Sequence, residues 1–390
     1  MSKLEELIQR YCPDGVEYKP LGEICKPLHK GTLTTKELVE PDGSNYPVIN
    51  SGRELYGYYP QFNNEGDAFT VAARGEYAGY ITYFSERFWA GGLCYPYRSN
   101  SPVILTKFVF YCLKTKQDYI RHTQVAEGRI PALNKGTLDL FEIPIPPLPV
   151  QEEIVRVLDT FTELQAELQA ELQKRLQQYN YYRDKLLSFE GRTDVEWKRL
   201  GDICKKVCSG GTPSRGNGDY FKGNIPWLRT QEVDWSDIYD TEIKITEGAV
   251  KKSSAKLIPE NCVIVAMYGA TAGKAAINKI PLTTNQACCN LQIDSNKALY
   301  KYVYYCVCNE YEHIKALGQG SQNNINAQIV KDYLIPVPPL AEQQRIVDIL
   351  DRFDSLTNDL TAGLPAEIEK RRQQYEFYRD KLLTFKRKEA

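Results

Sequence analysis

Apolar positions along the chain follow two alternating rhythms. Residues 2–12 place Leu4, Leu7, Ile8 and Tyr11 on one face, which predicts a short amphipathic helix stopped by Pro13-Asp14-Gly15. From Val16 to about Pro149 short runs rich in aromatic and β-branched residues alternate with turns. The stretches 45–52, 67–75 and 79–86 read as strands of a curved sheet, and 101–122 as a helix laid on it. The rhythm then changes. After IPIPPLP, beginning at Ile143, apolar residues recur every three or four positions: Ile154, Leu158, Phe161, Leu164, Leu168, Leu172, Leu176, Tyr179, Tyr182 and Leu186. That is one helical stripe of ~39 residues, a rod of roughly 58 Å.

The whole order then repeats. VEYKPLGEIC from Val16 is echoed by VEWKRLGDIC from Val195, and IPIPPLPVQEEIVRVLDTF by IPVPPLAEQQRIVDILDRF from Ile335. The first rod ends QQYNYYRDKLLSF and the second QQYEFYRDKLLTF; Gly128 aligns with Gly320 and Asn134 with Asn326. In the second half 209–233 is turn-rich, 256–293 strand-rich and 297–318 helical. A duplication of this extent makes the chain globular unit, rod, globular unit, rod. The second rod carries Ile346, Ile349, Leu350, Phe353, Leu356, Leu360, Ile368, Tyr375, Tyr378, Leu382 and Leu383, with Gly363 and Pro365 predicting a break or kink midway. A stripe this long needs another long helix to cover it. The internal copy supplies one in antiparallel sense; the alternative is a coiled coil with a second chain. Within the first rod ELQA, ELQA, ELQK (163–174) repeats every four residues, so the leucine stripe drifts around the helix.

Composition narrows the class. The 390 residues allow two or three domains, and 42% hydrophobic with 25% charged residues suits globular units with real cores. The net charge of -1 counts against a protein that coats nucleic acid indiscriminately, though not against one with local basic faces. Eleven Cys form no CxxC pair and only three His are present, so no zinc site is expected and the thiols read as reduced and mostly buried. No apolar run approaches the ~20 residues of a membrane span, and the N-terminal stretch does not read as a signal peptide. A cytoplasmic protein is the expectation.

Catalytic motifs are missing. There is no Gly-rich strand-to-helix turn with an Asn/Asp-Pro-Pro-aromatic motif for amine methylation. GATAGK (269–274) has one residue too few for a phosphate loop, with Ala275 where Ser or Thr would hold a metal. The Pro-Asp and Glu-x-Lys letters in PDGVEYK (13–19) lie too close together to place two metal-binding carboxylates across a sheet. No cofactor and no metal are expected.

The IPxPPLxxQxxI rod starts, the QQYxxYRDKLLxF rod ends and the VExxxLGxIC openings, together with 223–233 and 257–278, resemble the specificity subunit of type I restriction–modification enzymes over nearly the whole chain. The resemblance implies an α+β fold: two globular α/β target recognition domains (16–142 and 191–334) separated by two long antiparallel coiled-coil helices. These helical spacers fall at 143–190 and 335–390, after an N-terminal helix at 1–15, giving a pseudo-two-fold internal repeat. It implies a non-catalytic subunit that binds double-stranded DNA at an asymmetric bipartite target, each globular unit reading one half-site. Two methyltransferase subunits and the restriction subunits would dock on the helices. The spacer and docking positions it points to are Leu158, Phe161, Leu164, Leu168, Leu172, Tyr179, Leu186, Ile346, Leu350, Phe353, Tyr375 and Leu382. It also suggests that the ELQA repeats tune spacer length. Competing readings are a fused restriction or methylation enzyme, disfavoured by the missing motifs, and a coiled-coil adaptor whose globular units bind protein or glycan.

Base reading calls for Arg, Lys, Asn or Gln on loops. In the first unit these are Lys30, Arg53, Arg74, Arg87 and Arg98; in the second, Arg215, Lys222, Arg229, Lys274 and Gln322. Arg53 and Arg74 stand out because they sit in Gly-flanked turns beside strands.

Overall fold

The computed structural model describes residues 3–126, 128–189, 191–318, 324–359 and 361–389. The chain forms two compact units, one of Met1–Gln169 with Glu367–Ala390, the other of Ala170–Ala366. The first rod is a single 40-residue helix, Leu148–Leu187. It gives its start to the first unit and its end to the second. The second rod is two helices, Leu340–Asn358 in the second unit and Leu364–Leu382, nearly all of it in the first.

Both units are built to one plan. In the first, a four-stranded antiparallel sheet runs in the order Cys25–Pro27, Cys94–Ser99, Ala68–Ala72, Ile81–Phe84. A three-stranded sheet carries Gly57–Tyr59, Tyr46–Ile49 and Trp89–Ala90. In the second unit the order is Cys204–Ser209, Cys288–Ile293, Val263–Ala266, Ala275–Asn278, with Asp237–Ile238 added in parallel at the edge. A two-stranded ribbon closes each unit: Glu17–Pro20 pairs with Glu142–Ile145, and Glu196–Arg199 with Leu334–Val337, in the same register. The prolines of IPIPP and IPVPP are tolerated because such a ribbon has a free edge on both strands.

The helices expected over 101–122 and 297–318 are each shorter and interrupted. Thr106–Thr115 is followed by Gln117–Thr123, and Tyr300–Asn309 by Tyr311–Ala316. Lys116 (φ -97°, ψ 8°) and Glu310 (φ -89°, ψ 10°) leave the helical region and turn the chain. The apolar pattern runs through both breaks because Ile120 and Ile314 return to the core. The N-terminal helix spans Lys3–Tyr11.

The mount between globular part and rod is polar, buried and made twice. Gln151 and Gln343 are fully buried near the rod starts. The Gln151 Oε1 accepts the Leu105 N–H (2.9 Å), while Nε2 donates to Val103 O (3.0 Å) and Pro146 O (2.7 Å). Gln343 does the same with Leu299 N–H (2.9 Å), Lys297 O (3.4 Å) and Pro338 O (2.8 Å). Leu105 and Leu299 are the residues just before a helix, whose N–H groups have no partner within it. Two turns further along, Asp159 accepts from Lys107 Nζ (2.8 Å) and Tyr111 Oη (2.5 Å), and Asp351 from Lys301 Nζ (2.5 Å) and Tyr305 Oη (2.7 Å).

Within each unit the two rod segments run antiparallel. Phe161 stacks on Tyr378 at 5.6 Å and 25° and meets Tyr375 edge-on at 6.4 Å. Phe353 repeats this with Tyr182 (5.6 Å, 25°) and Tyr179 (6.4 Å). Ile154, Leu158, Ile346 and Leu350 are fully buried; Leu164, Leu168, Leu172 and Leu176 are half-buried. Gln165, Glu171 and Arg175 share that half-buried stripe, since a 3.6-residue turn cannot follow a four-residue repeat.

The break in the second rod falls between Asn358 and Leu364. Asp359 turns the chain there by accepting from Thr361 N (2.7 Å), Thr361 Oγ1 (2.6 Å) and Ala362 N (3.1 Å). A Cβ on Gly363 would lie 2.6–2.8 Å from the carbonyl oxygens of Ser355, Leu356 and Asp359, so only glycine fits. Pro365 then sits in the first turn of the new helix, where its missing N–H costs nothing.

The chain ends are tied into the first unit. Val16 N–H donates to Lys386 O and Lys388 N–H to Val16 O, both at 2.9 Å. Tyr18 Oη donates to Phe385 O (2.8 Å), and Arg387 pairs with Glu142.

Removing the Gln151 amide strands one N–H and two carbonyls. Gln151→Ala and Gln343→Ala should each destabilise their own unit by about 3 kcal/mol, read as a shifted midpoint in urea unfolding. Glu153 is buried against Arg156 and Lys3, whose hydrogen bonds hold its carboxyl down at about 2 against an ordinary 4.5. A depressed carboxyl stabilises the fold fully above its unfolded value and loses that as pH falls through the folded one. Glu153→Gln should therefore flatten the fall in stability between pH 4.5 and about 2, measured by thermal melts across that window.

Candidate nucleic-acid interface

Each unit projects one hairpin turn beyond its main sheet, between Ala68–Ala72 and Ile81–Phe84 in the first and between Val263–Ala266 and Ala275–Asn278 in the second. The two turns share one bonding pattern. Gly75 and Gly79 have φ of 90° and 83°; Gly269 and Gly273 have 81° and 88°, values that favour glycine. Gly79 N–H donates to Ala72 O and Gly273 N–H to Ala266 O, both at 2.8 Å. GATAGK is thus a strand-to-strand turn, not a strand-to-helix phosphate loop. A second loop braces each turn: Leu133 N–H donates to Ala73 O (2.9 Å), and Ile325 N–H to Met267 O (3.0 Å). On this shared frame the tip residues differ, Arg74 in the first unit and Tyr268 in the second, both exposed.

The residues chosen from sequence fall into two groups. Arg53, Arg74 and Arg215 are exposed, and their side chains make no ion pair or hydrogen bond among the described residues. The other described ones are engaged. Arg98 spends its guanidinium on the carbonyls of Glu65 (2.8 Å), Gly66 (2.5 Å) and Asp67 (3.2 Å). Arg87 pairs with Glu65 (2.8 Å) and lies 4.5 Å over Phe62. Lys30 donates to Gly92 O (3.0 Å), Lys222 pairs with Asp219 (2.9 Å) and Lys274 with Asp234 (2.5 Å). Arg229 is shared between Glu232 and Glu242. Gln322 lies outside the described residues. Sequence reasoning passed over Tyr268 and Arg129. Aligning RGEYAG (74–79) with YGATAG (268–273) marks Tyr268, and the loop that braces the Arg74 turn holds Arg129.

The shoulder where sheet meets rod has opposite electrostatics in the two units. In the first, a cleft of about 390 Å³ gathers Arg53, Lys107, Lys114 and Tyr80 around Asp159. Burial pushes the Lys114 ammonium down to about 8, although it donates to Ile81 O and Gln117 Oε1 and lies 4.1 Å over Tyr80. In the second, a cleft of about 650 Å³ gathers Asp237, Asp351, Asp354 and Asp359 around Lys301. Burial raises the Asp354 carboxyl, with Asp351 and Asp237 adding to the effect.

The two units thus share one mount and one turn frame and differ in the residues at the tips. The family model for the type I restriction modification DNA specificity domain matches twice, at residues 13–178 and 193–370. The chain belongs to that family. The Escherichia coli type I restriction enzyme EcoR124I/EcoR124II specificity subunit is 36% identical, over 100% of this chain and 98% of its own length. A putative type I restriction enzyme specificity subunit of Haemophilus influenzae is 32% identical over 95% of this chain and 96% of its own. The crystal structure of a type I restriction-modification S subunit from M. genitalium has the same fold, with a TM-score of 0.65 at 18% identity, over 94% of this chain and 95% of that one. A chain from a study of type I complex assembly and conformational transition aligns at TM-score 0.59 and 16% identity, over 95% of this chain and 98% of that one. Among the described residues no helix is long and apolar enough to cross a membrane.

The two groups of cations predict opposite behaviour. Arg98→Ala should cost about 2 kcal/mol in denaturant unfolding, because three carbonyls lose a charged donor. Arg53→Ala and Arg215→Ala should stay within about 0.5 kcal/mol of the parent, as expected for exposed side chains without partners.

Proposed function

We propose that this chain is the non-catalytic DNA-reading subunit of a type I restriction–modification complex. Each unit reads one half of an asymmetric bipartite target, and the rods hold the two readers at a set separation. Two methyltransferase subunits and the restriction subunits dock on the helical part and supply the methyl donor site, the translocation motor and cleavage. The reading makes this a cytoplasmic protein acting on chromosomal and incoming DNA.

The observation that carries this reading is the doubled mount. Gln151, Asp159 and Phe161 find the same partners as Gln343, Asp351 and Phe353, while the parts they hold up carry different tips. A constant mount with variable tips is what two half-sites of different sequence require, and near-identical mounts suit two copies of one partner. With a net charge of -1 and most of the candidate cations already engaged by carboxylates or carbonyls, affinity of the isolated chain for DNA is expected to be weak and to fall steeply with salt. In the complex, partner subunits close around the duplex and supply the remaining phosphate contacts.

Mapping methylated adenines in cells that express the chain with its partners tests the function directly. A single split motif with unlike halves is expected, and loss of that motif on deleting the chain. Methylation that does not depend on the chain would overturn the reading and favour an adaptor for protein or glycan. The spacer role of 163–174 has its own test. Removing one four-residue unit shortens the helix by about 6 Å and rotates the remainder of the rod by about 40°. The gap between methylated half-sites should then shrink by about two base pairs. An unchanged gap would mean that the rod does not set the spacing.

A further inference from the structure

One rim of the first unit combines a hydrogen-bonded backbone strap, cations without a partner among the described residues and a displayed aliphatic side chain. The turn after Ala68–Ala72 and the loop before Leu133 are strapped together: Gly75 N–H donates to Pro131 O (2.9 Å), Leu133 N–H to Ala73 O (2.9 Å), and Arg74 forms a backbone bridge with Ala132. Arg121 Nη2 braces the turn from behind through Glu76 O (3.1 Å). A Cβ on Gly79 would come within 2.9 Å of the Arg121 side chain, so the fit is close. On this rim the Arg74 and Arg129 side chains are exposed with no ion pair or hydrogen bond among the described residues, against a single described acid, Glu76. Ile130 stands next to Arg129 and is 66% exposed.

A lone exposed aliphatic residue is ordinary. This one adjoins Pro131, whose carbonyl is bonded to the turn, on a rim where two guanidiniums have no partner among the described residues. An isoleucine side chain can neither accept nor donate a hydrogen bond. Its only gain on a duplex comes from leaving water against apolar surface, and the largest apolar surface DNA offers is the face of a base at a partly opened step. Arginines on either side suit the backbone phosphates flanking such a step. We propose that Ile130 is a wedge that enters one base step of the half-site read by the first unit, with Arg74 and Arg129 holding the flanking backbone. The step is a deformable pyrimidine–purine one, where unstacking is least costly. The second unit has Tyr268 in place of Arg74, so the distortion belongs to one half of the target and adds to its asymmetry.

The proposal rests on the DNA-reading function and is tested so that the two can fail separately. The native complex, purified through a tag on this chain, is bound to its methylation target carrying 2-aminopurine at one position at a time. Beyond the methylated adenines, which a methyltransferase extrudes from the stack in either half-site, a rise in fluorescence of about twofold or more is expected at a single further step of one half-site, reporting unstacking. Ile130→Ala should abolish the rise and weaken target binding about tenfold, with the melting temperature unchanged. The double variant Arg74→Ala/Arg129→Ala should lower the salt slope of binding by about 2. No rise with the parent complex at any position other than the methylated adenines, or an undiminished rise there with Ile130→Ala, overturns the wedge while leaving DNA reading intact. A parent complex that does not prefer its target over scrambled DNA overturns both.

Discussion

A carboxamide buried without charge, present once per unit, fixes how each recognition part is held. Gln151 and Gln343 each tie three backbone groups, two from one loop and one from the stretch leading into the rod, to the first turn of a helix. A shorter or apolar side chain at that place leaves the pre-helical N–H and two carbonyls dry and unpaired, a larger loss than any one hydrophobic contact in the seam. The acceptors Asp159 and Asp351 add a second tether two turns along, and the Phe161 and Phe353 stacks a third. Three tethers in line on a helix leave the recognition part no freedom to pivot about the rod axis. That stiffness is what the proposed conversion of helix length into a distance along DNA requires.

The parts that repeat were the parts legible in the sequence. The rods, their broken second copy and the strand-rich units follow from periodicity, because burial along one face of a long helix forces a regular spelling. The roles of Gln151 and Asp159 were not legible. A polar letter in an amphipathic run reads as surface, and only the structure shows that loop carbonyls and a helix start converge on it. The interrupted helices after Thr115 and Asn309 were hidden because Ile120 and Ile314 keep the apolar spacing across the break. The candidate interface was the least legible. Arg98 and Arg53 look alike in sequence, yet one guanidinium is consumed by three carbonyls and the other is free of such partners among the described residues. Ile130 obeys no period, since loops are shaped by partners distant in sequence.

The two units keep their framework and exchange their chemistry. Left-handed glycines recur at identical places in both hairpin turns, while Arg74 gives way to Tyr268. The shoulder clefts keep the Lys–Tyr–Asp triad and reverse the sign of what surrounds it. Changes at such places leave the core untouched, so recognition can diverge without loss of stability. The cost of divergence is carried by exposed side chains, where substitutions are nearly neutral for folding.

The tie between Val16 and the segment 386–388 has a consequence for biosynthesis. The second unit is one continuous stretch, Ala170–Ala366, and has all its parts once that stretch has left the ribosome. The first unit is begun early yet lacks its helix Leu364–Leu382 and its closing ladder until residues 386–388 emerge. Translation order and completion order are therefore inverted, with the first unit held incomplete while the second matures. A chain cut short before residue 386 would carry one finished unit and one unfinished one, so that synthesis through that segment becomes the condition for completing both.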